Sequence, residues 1–441
     1  MITNTDIEQW RNDYNNDKTN YILENVISSN SISKIDQVRK NNQSYDPIYN
    51  HNVTPEMSTT NQQSSGRCWL FAALNVIRRQ VASKHNLSDF ELSQNYLFFW
   101  DKLERMNYNL ECIIKTKAEA VDSRIVQHLL DDPTCDGGQW DMIANLINKY
   151  GLVPKSAYNE SYHSSNSRDI GMVLKKKFRE YACLLRSSET PHEDKKKYMK
   201  EVYGILCKFL GTPPSSFNWE FADKDKKYHF IKNLTPLTFY KEHCDFNVDD
   251  YVCLINDPRN EYNKLYTVEY LGNVLDGKKV LYLNVEIQKI KDLAVKSIKA
   301  NESIWFGCDV GQNLSSSKCA MDFDQVDYLS LFNTGFTLNK KQRIQYRHSL
   351  MTHAMVFTGV NIQECENCLE NEGTVKNWKV ENSWGSRGSM KGYYSMSDEW
   401  FSEFTYEIAI NKKYMSKEDL ELLKSTEITT FPPWDPMGAL A

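Results

Sequence analysis

The sequence predicts an α+β fold in which a helical lobe precedes a β-rich lobe. Three observations carry this. From Cys68 onward, Trp69, Leu70, Ala73, Leu74 and Ile77 recur at the spacing of one buried helix face. From about residue 236 the chain switches to short runs of β-branched and aromatic residues between turn signals. Between the two, "VLKKKFREYACLLR" and "EDKKKYMKEVYGILCKFLG" are dense in lysine and helix formers and read as a helical insertion.

Taken in order, residues 1–57 are rich in Asn, Asp and Ser. They predict two amphipathic helices, near 5–16 and 18–28, then a turn-rich stretch that wraps over the surface of something else. Residues 58–165 form the helical lobe. Arg78, Arg79 and Lys84 lie toward the far end of its first helix, where cations suit the helix dipole. "LSDFELSQNYLFFWDKLERM" (87–106) starts a second helix, with Ser88 as N-cap and Glu91 three residues on, a capping-box pattern. "DGGQWDMIANLINKYG" (136–151) is a Gly-Gly turn into a helix that stops at Gly151.

Residues 166–300 are the insertion, mainly helical and then β, ending in "YVCLIND", "YTVEYL" and "KVLYLNV". Residues 301–424 form the β lobe, antiparallel and barrel-like. It contains "SIWFGCDV", "HAMVFTGVNI" and "WKVENSWG" and closes on the helix "SKEDLELLKS". The tail 425–441 carries three prolines, which forbid a helix and predict an extended arm.

Composition narrows the function. The 441 residues are 41% hydrophobic and 25% charged, enough apolar material for a sizeable core. A net charge of −5 does not suit a nucleic-acid or anionic-lipid binder. The start of the chain has no basic stretch followed by an apolar one, and no run of 18 apolar residues occurs anywhere. A cytoplasmic protein without membrane contact is expected. The 11 cysteines have no repeating spacing and read as reduced thiols. Cys365 and Cys368 form one CxxC, but a zinc ribbon needs a second pair. No metal or cofactor is expected.

The chemistry centres on "NQQSSGRCWLFAALNVIRR" (61–79). Cys68 stands where a loop becomes a helix, and a helix N-terminus favours the thiolate. An activated thiol needs a base, and the base needs an orienting group. His353 opens the strand-like "HAMVFTGV", which puts it on the rim of a sheet. Asn382, in "ENSWG", follows another strand-like run, where an amide can accept from an imidazole. Trp384, two residues later, can shield that bond from water. Acyl transfer also needs oxyanion donors. The Cys68 backbone N–H is one, and either Gln62 or Gln63 can supply another.

This set, "QxxxxxCW … GG … HA … NSWG", resembles the papain family of cysteine peptidases. The match is closest to its bleomycin hydrolase, or aminopeptidase C, branch. It runs from about residue 50 to the end, through "TNQQSSGRCWLFAALN", "DGGQWDMIANLI", "YGLVPKSAY", "WFGCDVG", "VENSWG" and "WDPMGALA". The resemblance implies a papain-like two-lobe fold with Cys68 as nucleophile, His353 as base, Asn382 as orienter and Gln62, rather than Gln63, as oxyanion donor. It implies that Gly137 and Gly138 offer bare backbone to an extended peptide, beside Trp384. It also implies a homohexamer whose C-terminal arm enters the cleft, with the Ala441 carboxylate taking a substrate's free amino group. Extracellular relatives join a Cys at the position of Ser65 to one at Cys135. That bridge cannot form here, in keeping with a cytosolic branch. Arg67 departs from the papain signature and has no role by this reading. The expected function is a cytosolic cysteine aminopeptidase acting on short peptides through a thioester acyl-enzyme, with bleomycin-like amides also hydrolysed. The alternative is a nucleic-acid-binding hexameric ring resting on the lysines at 175–177 and 195–197, with peptidase activity secondary.

Overall fold

The computed structural model describes residues 1–35, 47–323, 325–363 and 373–440. Cys365, Cys368 and Ala441 therefore lie outside the described residues. Among those described, no helix is long and apolar enough to cross a membrane.

The central element is helix Cys68–Lys84, with 14 of its 17 residues buried. Its apolar stripe is fully enclosed: Trp69, Leu70, Ala73, Leu74 and Ile77 are all 0% exposed. Each such side chain contributes about 1.5–3 kcal/mol of burial. Helices Gln94–Lys115 and Trp140–Tyr150 pack around it, and the latter stops at Gly151, whose φ of 72° is a left-handed cap. The second helix starts later than the sequence suggests. Ser93, not Ser88, is its N-cap and accepts from the Tyr96 N–H. Leu92 bridges to Pro154 and Glu91 pairs with Lys155, so that stretch is tied to a neighbouring loop instead.

Arg78 and Arg79 also depart from expectation. They do not serve the helix end but are buried, and both bind Glu381. Between 166 and 235, helices Arg168–Ser187 and Pro191–Leu210 are followed by a hairpin, Phe217–Ala222 with Tyr228–Leu234. Trp219 anchors that hairpin against Phe239 and His85, a cross-chain packing that local composition does not show. Helices Pro236–His243 and Ile287–Lys299 interrupt the stretch read as β.

The strands form one sheet of twelve among the described residues. Its order is Ile428–Phe431, Lys264–Val268, Tyr282–Asn284, Tyr251–Ile255, Thr405–Asn411, Ile304–Cys308, His353–Gln363, Thr374–Glu381, Tyr393–Ser397, Ala320–Met321 and Leu314–Ser315, with His51–Asn52 added beside His353–Gln363. The central pairs are antiparallel as expected, but three pairs are parallel: Ile428–Phe431 with Lys264–Val268, Tyr251–Ile255 with Tyr282–Asn284, and Tyr393–Ser397 with Ala320–Met321. Strands from 251–284 thus share a sheet with those after 301. The strand Ile304–Cys308 near the middle of the sheet is buried throughout.

At the N-terminus, helices Asn4–Asn16 and Lys18–Ser29 fall where predicted and bury no residue. The stretch after 47 pairs with the strand His353–Gln363 through His51 and Asn52 and buries Val53 and Met57. The tail is extended as predicted. Strand Ile428–Phe431 is followed by a single 3-10 turn, Pro436–Gly438.

Candidate active site

Cys68 is the first residue of its helix, and Arg67 at the N-cap makes no capping hydrogen bond. The first N–H groups are therefore unclaimed by a cap and available to an anion. The N–H groups of Ala354, Trp69 and Cys68 itself face the sulfur and favour the thiolate. Burial works against them and pushes the thiol up to about 11.

The Ala354 contact sets His353 beside Cys68, since His353 begins the strand that Ala354 continues. His353 Nε2 lies 2.9 Å from Asn382 Oδ1. The Ser383 N–H donates to the same oxygen at 2.7 Å, which fixes the amide's orientation. With the oxygen facing it, Nε2 carries the hydrogen, and Nδ1 is left as the basic nitrogen. The Trp384 ring covers the imidazole with centroids 5.0 Å apart. Burial pulls His353 down to about 4, against the Asn382 hydrogen bond. Each group alone is thus kept neutral by its dry surroundings.

Gln62 donates from Nε2 to the Ser65 carbonyl at 2.6 Å and accepts from Ser383 Oγ at 2.9 Å. Only an NH2 can pair with a carbonyl, so the nitrogen is identified, and it retains a second hydrogen. Gln63 is exposed, with a φ of 54°.

The loop before Cys68 is braced by residues that sequence reasoning passed over. Arg67 is fully buried, donates to Ser65 Oγ at 2.9 Å, pairs with Glu160 at 2.9 Å and lies over the Phe71 and Phe98 rings. Asp136 accepts from the Gly66 N–H at 3.1 Å, binds Ser167 Oγ and pairs with Lys102 at 2.7 Å, while its carbonyl accepts from Trp69 Nε1 at 2.6 Å. Burial raises its carboxyl, but Lys102 and the hydrogen bonds outweigh this and hold it below its ordinary value. The only prior sign of Arg67 was its departure from the small residue usual before such a cysteine.

Gly138 has a packing requirement of its own, since a Cβ there would point into the Trp69 ring. The approach would be 2.6 Å. The Gly137 carbonyl is held by Arg105 at 2.8 Å. One residue on, Gln139 Nε2 donates to the Ala439 carbonyl of the arm at 2.8 Å. The arm thus reaches the Gly-Gly turn beside Trp69. Behind Asn382, Glu381 binds Arg78 at 2.7 Å and also Arg79, locking the helix of Cys68 to the strand end that carries Asn382. No group of three or more metal-ligating side chains is found among the described residues.

A thiol at a helix start, the N–H of the residue after a histidine facing its sulfur, and an amide bonded to that histidine's imidazole fit a site of the cysteine-peptidase class. A model of the "Peptidase C1-like family" matches residues 1–438. Bleomycin hydrolase of Mus musculus is 43% identical, with 97% of this chain and 96% of that protein covered. Aminopeptidase C of Listeria monocytogenes is 41% identical over 100% and 99%. The crystal structure of pepw from Lactobacillus rhamnosis superposes with a TM-score of 0.96 at 42% identity, covering 100% of this chain and 99% of that one. The chain belongs to the peptidase C1-like family, has its mixed α/β fold, and is a cysteine-type aminopeptidase of the bleomycin hydrolase and aminopeptidase C branch.

Proposed function

We propose that the protein is a cytosolic aminopeptidase that removes N-terminal residues from short peptides through a thioester. The observation that carries this is His353, braced by Asn382 and set beside the thiol at a helix start. Cys68 gives its proton to His353 Nδ1 as sulfur attacks the first peptide carbonyl. The oxyanion is met by the Cys68 N–H and the free Gln62 Nε2 hydrogen. His353 returns the proton to the leaving amine, and the carbonyl re-forms as a thioester. Water, deprotonated by His353, then releases the acid and restores the thiol.

The arm accounts for exopeptidase action. With Ala439 tied to Gln139, the carboxylate of Ala441, two residues later, takes the free amino group of a substrate. It also blocks longer chains on that side. Bleomycin-like amides fit the same chemistry, and a homohexamer is the proposed assembly. The nucleic-acid alternative is weakened by its own lysines: Lys175, Lys177, Lys195 and Lys197 each pair with a carboxylate. Assay of Cys68→Ala on aminoacyl-coumarins tests the mechanism. Activity is expected to vanish, and residual turnover at the wild-type rate would sink it.

A further inference from the structure

Strand pairing of Ile428–Phe431 holds the root of the arm, but the six residues after Asp435 need a separate hold. Arg259 supplies it. Its guanidinium is fixed on one side by Asp257, with Nε at 2.9 Å from Oδ1 and Nη2 at 2.8 Å from Oδ2. Asp257 is fully buried and itself held by Asn260 Nδ2 at 2.8 Å and, through its own N–H, by Asn284 Oδ1 at 2.9 Å. The other edge of Arg259 meets the arm at Asp435, with Nη2 at 2.8 Å from Oδ1 and Nη1 at 3.4 Å from Oδ2.

Asp435 does a second job. Its Oδ1 accepts from the Met437 N–H at 2.8 Å and caps the turn Pro436–Gly438 that redirects the chain toward Gln139. One carboxylate therefore fixes both where the arm is pinned and the direction in which it leaves. Six residues can extend by about 20 Å. A change of direction at the pinned turn is therefore carried on toward the end of the arm.

We infer that the Arg259–Asp435 pair is the latch that sets the position of the arm's end, and through it the enzyme's demand for a free N-terminus. Both are positioning residues that touch no substrate. The inference rests on the reading of the arm given above. Beyond the strand Ile428–Phe431, the other holds on the arm are neutral on its side: Trp434 over the Arg124 guanidinium at 3.9 Å, the Met437 carbonyl accepting from the Tyr282 hydroxyl at 3.3 Å and the Ala439 carbonyl accepting from Gln139 Nε2 at 2.8 Å. Arg259–Asp435 is thus the charged, geometrically specific contact among them.

The test compares N-acetylated with free aminoacyl-peptide coumarins in Asp435→Asn, Arg259→Gln, Arg259→Lys and a chain lacking residues 436–441. Asp435→Asn keeps a capping oxygen and leaves the core untouched, so it remains folded if Arg259→Gln does not. The latch predicts that both neutral variants raise the ratio of blocked to free substrate cleavage about tenfold, mainly through a higher KM for free substrates. Arg259→Lys should recover part of the loss. An unchanged ratio in Asp435→Asn, alongside a raised ratio in the truncated chain, overturns the latch and leaves the arm's role standing. An unchanged ratio in the truncated chain overturns the arm reading itself, and the latch with it.

Discussion

Glu381→Gln isolates the bond between the two halves of the site. Glu381 is 1% exposed, and Arg78 and Arg79, which bind its two oxygens, are 2% and 3% exposed. Other guanidinium donors go to the carbonyls of Phe90, Ser58 and Pro55, which holds both arginines away from water. Neutralising the acid leaves two buried cations facing each other, and the amide offers an NH2 donor where one of them needs an acceptor. Removing one partner of a buried ion pair costs about 3–5 kcal/mol, a large share of the roughly 5–15 kcal/mol that holds a folded chain. The urea midpoint should fall accordingly, with an unchanged slope. Catalysis should fall as well, because Asn382 is the next residue and loses its fixed distance from the Cys68 helix. A stability loss below about 1 kcal/mol, the range of exposed pairs, would refute the claim that this triad joins helix to strand.

Three further outcomes follow from other contacts. Gly138→Ala drives a methyl into the Trp69 ring and should cost about 1–3 kcal/mol by overpacking, read as a lower thermal midpoint together with reduced turnover. Gln62→Ala removes one proposed oxyanion donor and should lower kcat by about 10²–10³ with little change in KM, provided the chain stays folded by circular dichroism. The third concerns Glu407, whose two oxygens are buried without a hydrogen-bond partner and whose carboxyl burial raises from 4.5 to about 8. The folded state then binds a proton that the unfolded state has lost, so this group's contribution is complete below about pH 4.5 and declines as pH rises to 8. The slope is about 1.4 kcal/mol per pH unit in that window. Glu407→Gln should flatten that part of the stability–pH profile, and an unaltered profile would show that the acid is ionised in the fold.

The proposed catalytic set is legible because its parts sit at changes of local pattern. Cys68 marks where polar loop becomes apolar helix, His353 opens a strand and Asn382 ends one. Each is visible within a window of ten residues. The bracing charges were not legible for the opposite reason. Arg67 meets Glu160, Gly66 meets Asp136, and Arg78 and Arg79 meet Glu381 across long stretches of chain. Locally, such residues look like solvated surface. Arg78 and Arg79 were read as helix-end cations on those grounds, although burial and a distant acid decide their place. The capping serine failed similarly. "SDFE" has the composition of a capping box, but Glu91 is claimed by Lys155, and the helix waits for Ser93. The sheet's breadth was hidden because parallel neighbours come from segments far apart, and a run such as Ile304–Cys308, buried on both faces, shows no alternation.

Asp136 and Ser65 have a consequence for redox chemistry. A thiol nucleophile is best protected from oxidation in reducing surroundings, whereas a disulfide brace on the same loop persists best in oxidising ones. Here the loop is cross-linked to the Gly-Gly turn by a carboxylate gripping the Gly66 N–H and by an indole gripping the Asp136 carbonyl. Neither link contains sulfur. The cross-link and the nucleophile therefore make no opposing demand on their compartment. Reductant can be raised until every thiol is free without loosening the frame that aims Cys68.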